Sequence, residues 1–325
     1  MDIELQYGLR GKKKQQWVNF LAQADLEADE NIDSTVLVWD ENRLAATGSR
    51  KGNLLKCIAV SEDYQGQGLT ATVLTQLRQD AFADGHKHLF LYTKPKNLLQ
   101  FQSLFFYPVA QTERVLLMED KPQGISRFLD TLEPVTAEGR IGALVMNCNP
   151  FTLGHRYVIE TAAKECDHVY VFVLSEEQPP FPASDRLQLV KDGTRDLENV
   201  TVFPTGPYLI SSATFPTYFL KDRDTVVTVQ CGLDIAVFSR YYIPKFGITH
   251  RYVGTEPTSA LTKAYNEALK AGLPIPVVEI PRLEVGSAPI SASTVRSLIG
   301  TCQAEKVRIL VPPTTFDYLE KNKYL

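Results

Sequence analysis

The sequence predicts an α/β protein of two domains, the second of which is built on a doubly wound parallel sheet. The chain has 325 residues, which is more than one hydrophobic core usually holds. From residue 135 onward, short apolar runs alternate with segments of helical periodicity, as in parallel sheets whose strands are buried on both faces. Ligands of such sheets bind beyond the carboxyl ends of the strands, so we expect a site there.

Composition describes a soluble globular protein and excludes several functional classes. The net charge is −4 and no long basic run occurs, so we expect no nucleic-acid partner. The five cysteines are scattered without a CxxC pair, and the pair His86 and His88 lacks a third ligand in view, so no disulfide framework and no metal site are predicted. Neither an apolar leader nor a membrane-length apolar stretch is present, so we expect a cytoplasmic protein with no membrane partner.

Residues 1–120 predict a domain in which a strand and a helix precede an antiparallel meander. The predicted strands are residues 3–9, 35–39, 43–49, 53–60, 89–93, 106–110 and 114–118. The predicted helices are residues 13–24, a segment after residue 70 that runs through Phe82, and residues 97–104. Residues 121–134 look like a linker in which a short helix begins at residue 125.

A glycine loop, residues 65–70 (QGQGLT), lies between a predicted strand and a predicted helix. Its glycines allow close backbone approach to a ligand, and backbone N–H groups at a helix start bind phosphate. The loop and the order of elements resemble the GNAT acetyltransferase family, whose (Q/R)xxGx(G/A) loop holds the pyrophosphate of coenzyme A; Thr70 stands where that family has Gly or Ala. The resemblance implies that Gln65, Gly66 and Gly68 bind a CoA-like arm. An ordinary glycine-rich turn is the alternative.

Acetyl-transfer machinery is not evident in this half of the chain. Nothing in the sequence makes Glu62 or Asp63 a base, and Tyr107 fits a core aromatic better than a general acid. We therefore predict that residues 1–120 recognise the arm of an acyl acceptor.

The second half alternates between strands and helices. The predicted strands are residues 141–146, 168–174, 200–203, 250–253 and 277–280, with a β-rich segment at 224–230. The predicted helices follow residue 153 and span residues 185–194, 215–220, 235–246 and 260–271. Lys221 follows the short helix at 215–220, where a cation is favourable, and is the candidate second cation of the site; a solvated helix-end lysine is the alternative.

The chain is organised around an apolar run, residues 141–146, that ends in a polar loop with the sequence NCNPFTLGH. Pro150 disfavours a helical conformation at Asn149, so a loop must lie there. Gly154 removes a side chain at the start of the next helix, where another backbone or a nucleotide can come close. His155 then lies in the first turn, beside unpaired N–H groups and the positive end of the helix dipole, which suits a phosphate.

A second phosphate-binding pattern is PISASTVR at residues 289–296. Its hydroxyls, including those of Ser291 and Ser293, can cap a helix, and Arg296 lies one turn further on. Capped N–H groups, hydroxyls and a guanidinium suit the β- and γ-phosphates of ATP. Taken alone, the pattern also fits a serine-capped helix with a surface arginine.

Together the two patterns resemble the (H/T)xGH and ISSTxxR signatures of the nucleotidylyltransferase superfamily. Thr152 stands for the first His, and Ala292 and Ser293 replace Ser and Thr. A GNAT-like domain followed by such a domain resembles the citrate lyase ligase family. The resemblance implies an arm-binding domain at 1–120, a linker at 121–134 and an adenylating domain at 135–325.

This family uses ATP, Mg²⁺ and acetate to acetylate citrate lyase, by way of acetyl-AMP. The acceptor is the thiol of a dephospho-CoA-derived prosthetic group on the acyl carrier subunit, and AMP and pyrophosphate are released. The resemblance implies that His155 and Arg296 contact phosphates and that Thr152 binds a phosphate or acetate oxygen. The other residues predicted to bind ATP are Asn147, Asn149, Gly154, Ser291 and Ser293.

Three other functions stay open on the sequence. A pantetheine-phosphate or NMN adenylyltransferase would share the chemistry but leave residues 1–120 unexplained. The chain could also be an N-acetyltransferase whose second domain senses a nucleotide, or a non-catalytic scaffold for the lyase. Pyrophosphate release that depends on both acetate and the lyase thiol distinguishes the ligase from all three.

Overall fold

The computed structural model describes all residues except 30, 210–217, 219–222, 256–259, 287 and 302. The chain divides into two compact units. The first comprises Met1–Ile125 and Phe215–Ala236, and the second comprises Ser126–Thr214 and Val237–Leu325. These units are defined by packing, and the functional domains at 1–120 and 135–325 remain predictions.

Twelve α-helices occur among the described residues. In chain order they are α1 (Gly11–Gln23), α2 (Leu69–Ala83), α3 (Leu98–Gln102), α4 (Gly124–Asp130), α5 (Leu153–Glu165), α6 (Ala183–Gly193), α7 (Arg223–Val237), α8 (Ile243–Phe246), α9 (Ala260–Gly272), α10 (Ala292–Ile299), α11 (Ala304–Arg308) and α12 (Pro313–Lys321). None of the described helices is long and apolar enough to cross a membrane.

The first unit contains a seven-stranded sheet in the order β1-β2-β3-β4-β5-β7-β6. Its strands are β1 (Asp2–Gln6), β2 (Ser34–Asp40), β3 (Arg43–Lys51), β4 (Leu54–Val60), β5 (Phe90–Thr93), β6 (Tyr107–Gln111) and β7 (Leu116–Glu119). β4 and β5 run parallel and pair only where Leu54 meets Phe90 and Leu55 meets Leu91. Beyond these pairs the two strands separate, which opens a cleft in the sheet.

Helix α2 covers this sheet and begins at the glycine loop. Its residues Val73, Leu74 and Leu77 are buried against apolar side chains of β2, β3 and β4. A Cβ on Gly48 of β3 would lie 2.5 Å from Cγ1 of Val73, so the helix packs directly on the strand backbone. This packing fixes the start of α2, and hence the glycine loop, at the end of β4.

The second unit contains a five-stranded parallel sheet in the order β10-β9-β8-β11-β12. Its strands are β8 (Ile141–Met146), β9 (His168–Val173), β10 (Val200–Pro204), β11 (His250–Gly254) and β12 (Val277–Ile280), and a short hairpin of β13 (Glu284–Val285) and β14 (Ala288–Pro289) follows. The strand order reverses between β8 and β11, which is where doubly wound sheets bind ligands. The predicted doubly wound sheet is therefore confirmed, with the NCNPFTLGH loop at its switch point.

The prediction of a β-rich segment at 224–230 is wrong, because this segment lies in helix α7. Val229, Leu233 and Val237 recur every four residues and are buried, which is the spacing of one helix face. Each β-branched residue destabilises a helix by only a fraction of a kcal/mol, so the burial of this helix face outweighs the unfavourable propensity. The predicted helix at 215–220 lies, apart from Tyr218, outside the described residues.

Candidate active site

The loop after β8 is fixed by a buried arginine that the sequence analysis missed. Arg186 of α6 is fully buried, and its Nη1 donates to the backbone oxygen of Asn147 at 2.8 Å and to its side-chain Oδ1 at 2.6 Å. The same guanidinium donates from Nε to the backbone oxygen of Phe181 at 3.3 Å. Arg186 therefore holds the loop after β8 against the loop after β9, and Asn147 serves as its partner. The residues around Arg186 in the sequence do not distinguish it from other arginines of amphipathic helices, so this role could not be predicted.

Asn149 presents a buried acceptor to the site. Its side chain is 4% exposed, and Nδ2 donates to the backbone oxygen of Pro179 at 3.2 Å. Its Oδ1 has no hydrogen-bond partner among the residues that the structure describes. A buried acceptor of this kind needs an N–H or O–H donor, which a bound molecule could supply.

Thr152 and His155 cap the start of helix α5 reciprocally. Thr152 is the N-cap, and its Oγ1 accepts from the backbone N–H of His155 at 3.3 Å. Nδ1 of His155 in turn accepts from the backbone N–H of Thr152 at 3.1 Å. Because Nδ1 is an acceptor, the proton of the neutral imidazole is on Nε2, at the opposite side of the ring. The capping arrangement therefore leaves His155 with one N–H donor beyond the helix start.

The electrostatic environment keeps this imidazole neutral. Burial, together with the nearby positive charge of Arg282, lowers the pKa of His155 to about 4. The ring also lies parallel to the buried ring of Phe151, with centroids 6.0 Å apart. At physiological pH the site therefore presents a neutral, fixed donor and no imidazolium.

We predict that His155 stays neutral, with its proton on Nε2, from about pH 5.5 to pH 8, because its pKa is about 4. The unfolded chain, with a histidine pKa of about 6.5, takes up a proton first as the pH falls. Stability contributed by neutral His155 is therefore lost as the pH falls from about 6.5 to about 4. Nitrogen NMR of the imidazole measures both the tautomer and the pKa.

Replacing Arg282 with glutamine should raise the pKa of His155, since it removes one of the two causes that lower it. Replacing the exposed Arg195 in the same way is the control and should leave the titration unchanged. A wild-type His155 that titrates near the ordinary histidine value would contradict this account of the site.

The second predicted pattern forms a hydroxyl cluster at the start of helix α10. Ser291 is the N-cap, and its Oγ accepts from the backbone N–H of Thr294 at 3.1 Å. The same Oγ lies 2.9 Å from Oγ of Ser293 and 2.8 Å from Oγ1 of Thr294. Three hydroxyls and a helix N-terminus thus lie together, which is a favourable environment for anionic oxygens.

The structure brings the two patterns into direct contact. Arg296 of α10 donates from Nη1 to the backbone oxygen of Asn149, across 147 residues of chain. A Cβ on Gly154 would lie 2.9 Å from the backbone oxygen of Ile290, which immediately precedes the N-cap of α10. Gly154 therefore permits the close approach of two backbones, one of the two possibilities that the sequence left open, and its contact with ATP stays a prediction. The starts of α5 and α10 meet beside the carboxyl end of β8.

A Gly154→Ala variant should lose about 1–3 kcal/mol of stability, because the Ile290 backbone must move to admit the methyl group. Activity should fall on the order of ten- to a hundredfold, since the two helix starts would separate. Gly300→Ala, at the other end of α10, is the matched control because its Cβ would meet its nearest neighbours at an ordinary 3.6 Å. Thermal unfolding and initial rates of both variants give the comparison; equal behaviour would show that the contact is unimportant.

Arg282 is a cation that sequence reasoning missed. Its Nε donates to the backbone oxygen of Thr255 at 2.8 Å, which anchors it beyond the carboxyl ends of β11 and β12. The adjacent Leu283 accepts a backbone hydrogen bond from Ile290 at 3.0 Å, so this segment also adjoins the start of α10. Its position directly after β12, at the carboxyl end of a parallel strand, could have indicated a role in the site. Lys221, the predicted second cation, lies outside the described residues.

The three predicted residues of the glycine loop lie in the first unit. Gly66 and Gly68 have φ angles of +77° and +78°, a conformation that favours glycine, and Gly68 is the N-cap of α2. Together with Gln65 they line a cavity of about 990 Å³ that extends between β4 and β5. Lys94 and Lys96 line the same cavity, as do the carboxylates of Asp25, Glu62 and Asp63, and Lys94 is ion-paired with Asp25 at 2.8 Å. The loop therefore has the backbone conformation of an anion-binding turn.

Comparisons with known proteins match both halves of the chain. Residues 141–319 match the citrate lyase ligase C-terminal domain, and residues 10–100 match the acetyltransferase (GNAT) family. The predicted α/β fold class, with a GNAT-like domain before a doubly wound parallel sheet, is confirmed.

Curated relatives extend over nearly the whole chain. The chain is 40% identical over 321 residues to citrate (pro-3S)-lyase ligase of Klebsiella pneumoniae, which covers 96% of this chain and 94% of the relative. Proteins of the same name from Escherichia coli K12 and Haemophilus influenzae are 38% and 36% identical. They cover 95% and 93% of this chain, and 91% and 93% of their own lengths.

Proposed function

The chain belongs to the citrate lyase ligase family, and on that premise we propose that it acetylates the thiol arm of the citrate lyase acyl carrier subunit. The first step forms acetyl-AMP and pyrophosphate from ATP and acetate. In the second step the thiolate of the dephospho-CoA-derived arm attacks the acetyl carbonyl, and AMP leaves. The observation that carries the proposal is the junction of the α5 and α10 starts at the switch point of the parallel sheet.

To catalyse adenylation, the protein must position ATP and acetate and neutralise the negative charge of the phosphates. A carboxylate oxygen of acetate attacks the α-phosphorus while the bond to the pyrophosphate oxygen breaks, so acetate itself is the nucleophile. Two helix N-termini supply backbone N–H groups, and neutral His155 supplies an Nε2–H donor near the α/β bridge. Arg296, with the hydroxyls of Ser291 and Ser293, would hold the β- and γ-phosphates. Arg282 adds the positive charge next to His155.

Thr152 supports this site by positioning His155. The side chain is only 1% exposed, and its hydroxyl is already engaged by the backbone N–H of His155. The direct contact of Thr152 with a phosphate or acetate oxygen stays a prediction beside this positioning role. Its hydroxyl orients the helix start and the imidazole.

The side chains assembled here suit ATP with its metal ion. Hydroxyls, a guanidinium and an imidazole are present, and none of the site residues named above is a carboxylate. Mg²⁺ that accompanies ATP would therefore be held by phosphate oxygens and water. Oδ1 of Asn149 suits a ribose hydroxyl or the adenine amino group, since an amide oxygen accepts from neutral donors.

The first unit fits the role of gripping the acceptor arm. Backbone N–H groups at the start of α2, with Lys96 in the lining of the same cavity, suit the pyrophosphate of a CoA-like arm. The cleft between β4 and β5 then offers room for the extended part of the arm. This division explains why a nucleotide-activating domain is joined to an acetyltransferase-like one.

Transfer of radiolabelled acetate to deacetylated lyase, with ATP and Mg²⁺, tests the proposal. We expect one acetyl thioester, one AMP and one pyrophosphate per turnover, and no transfer without ATP. Acetylation from acetyl-CoA in the absence of ATP would instead support the acetyltransferase alternative. A nucleotide product larger than AMP would support the pantetheine-phosphate or NMN type of adenylyltransferase.

Replacing Arg296 with alanine should weaken ATP binding roughly ten- to a hundredfold, because charged hydrogen bonds contribute about 1.5–3 kcal/mol. Lysine should rescue only part of this loss, since it lacks the planar fork. Arg195→Ala, an exposed site in the same unit, is the control for charge removal. An unchanged Michaelis constant for ATP in Arg296→Ala would show that Arg296 only joins α10 to the loop after β8 and does not bind ATP.

A further inference from the structure

Tyr218 lies between the two separated strands of the first unit. Its hydroxyl donates to the backbone oxygen of Tyr92 in β5 at 2.8 Å, and the backbone of Cys57 in β4 hydrogen-bonds the same hydroxyl. Its backbone oxygen accepts from the N–H of Glu27 at 2.7 Å. The side chain is only 6% exposed. One phenol thus bridges β4 and β5 just beyond the point where their own pairing stops.

Tyr218 thus lies at the narrow end of the cleft, next to the last pairs of β4 and β5, which we call the inner end. The cavity is lined by Gly66 and Gly68 of the glycine loop and also by Tyr218. Cys57 precedes Val60, the last residue of β4, by three positions, which is about 10 Å along a strand. A pyrophosphate at the glycine loop would therefore direct an extended arm along β4 toward the phenol.

We propose that Tyr218 closes the inner end of the cleft, so that the cleft binds a CoA-like arm with a free thiol and rejects the same arm once it is acetylated. This inference rests on the proposed arm-binding role of the first unit. It goes beyond that role because it assigns discrimination between substrate and product to one residue.

Sterics and hydrogen bonding both support the closure. An acetyl group adds a carbonyl and a methyl to the sulfur, and at this end of the cleft they would meet the phenol ring. Moving the ring aside would break its hydrogen bonds to the backbone of Tyr92 and Cys57, both of which are buried. Burial also raises the pKa of Tyr218 well above its ordinary value, so the hydroxyl keeps its proton and continues to donate.

The functional consequence concerns the acetylated product. An arm whose thiol has been acetylated at the adenylating site would no longer fit the inner end of the cleft and would not bind there again. A fresh thiol arm would bind in its place, so the enzyme would not be inhibited by the acetylated carrier that accumulates.

Calorimetric titration of the full-length protein with dephospho-CoA and with its acetyl thioester tests the inference. We expect the wild type to bind the free thiol at least tenfold more tightly than the thioester. Tyr218→Ala should bind both with similar affinity, because the inner end is open. Tyr218→Phe should keep the preference, since the ring remains in place. Tyr64→Ala, further along the same cavity, is the control and should change both affinities by the same factor.

The outcomes separate this inference from the proposed function. If the wild type binds neither compound, the arm-binding role of the first unit fails and this inference fails with it. If the wild type binds both equally, the arm-binding role stands and closure by Tyr218 is wrong. A tenfold preference that persists in a folded Tyr218→Ala variant would also overturn it. Should that variant not fold, Tyr218→Leu, which removes the ring but keeps apolar packing, must lose the preference, and a preference that persists in it would overturn the inference.

Discussion

Alanine at position 155 should lower acetate-dependent pyrophosphate release on the order of a hundredfold or more, which is typical when a transition-state donor is removed. His155 lies at the N3 position of α5, with Nδ1 fixed by the backbone of Thr152. The ring thus directs its Nε2–H to one place before substrate binds, so the donor needs no reorganisation during the reaction. Rates should be measured with saturating ATP and acetate, to separate catalysis from binding.

The same variant removes one half of the helix cap, so its stability must be measured as well. Loss of a cap typically costs about 0.5–2 kcal/mol, which a stably folded protein tolerates. Arg156→Ala is the matched control in the same turn of α5, because it breaks ion pairs with Glu160 and Asp196 and a hydrogen bond to the backbone oxygen of Gly193 but removes no group assigned to the site. It should lose comparable stability and keep its rate within a few-fold. A folded His155→Ala protein with a normal rate would refute the assignment of the site.

Valine at position 68 should abolish acetyl transfer to the carrier thiol while leaving acetyl-AMP formation intact. Gly68 has a φ of +78° and open space around its Cβ position, on the wall of the first-unit cavity. The side chain of valine would occupy this space, and a β-branched residue would also force the loop out of its left-handed conformation. Both effects block a pyrophosphate at the loop. Trapping with hydroxylamine measures acetyl-AMP, and labelled carrier measures transfer.

Gly85→Val controls for backbone strain in this experiment. Gly85 follows the other end of α2, has a φ of +85° and also has open space around its Cβ position. Its valine variant should lose similar stability, about 1–2 kcal/mol, but keep full transfer. Normal transfer by Gly68→Val would mean that the loop is only a turn. Loss of acetyl-AMP in that variant would mean that the two sites are not independent.

The strand, loop and helix start of the site could be predicted because each is determined by residues that lie close together in the sequence. The apolar run of β8, the asparagines and Pro150 after it, and Gly154 at the helix start lie within a few residues of one another. Each restricts the backbone of its own neighbourhood, so the strand, loop and helix can be derived from their order. Hydroxyls at residues 291–294 likewise predict a capped helix start.

Contacts between distant segments could not be predicted in this way. The hydrogen bond from Arg296 to Asn149 and the approach of Ile290 to Gly154 join segments far apart in sequence. Arg186 and Arg282 differ from surface arginines only in what packs around them. The same limit applies to the secondary structure of α7. Its β-branched residues favoured a strand in the prediction, whereas its tertiary packing stabilises a helix.

Exchange of labelled pyrophosphate into ATP, with acetate present and the lyase absent, tests the central claim most directly. If acetyl-AMP is formed before the thiol reacts, exchange must occur without any acceptor and must require acetate. We expect this exchange in the wild type and in Gly68→Val, and its loss in His155→Ala. Exchange that requires the carrier thiol, or that proceeds without acetate, would contradict a separate acetyl-adenylate step.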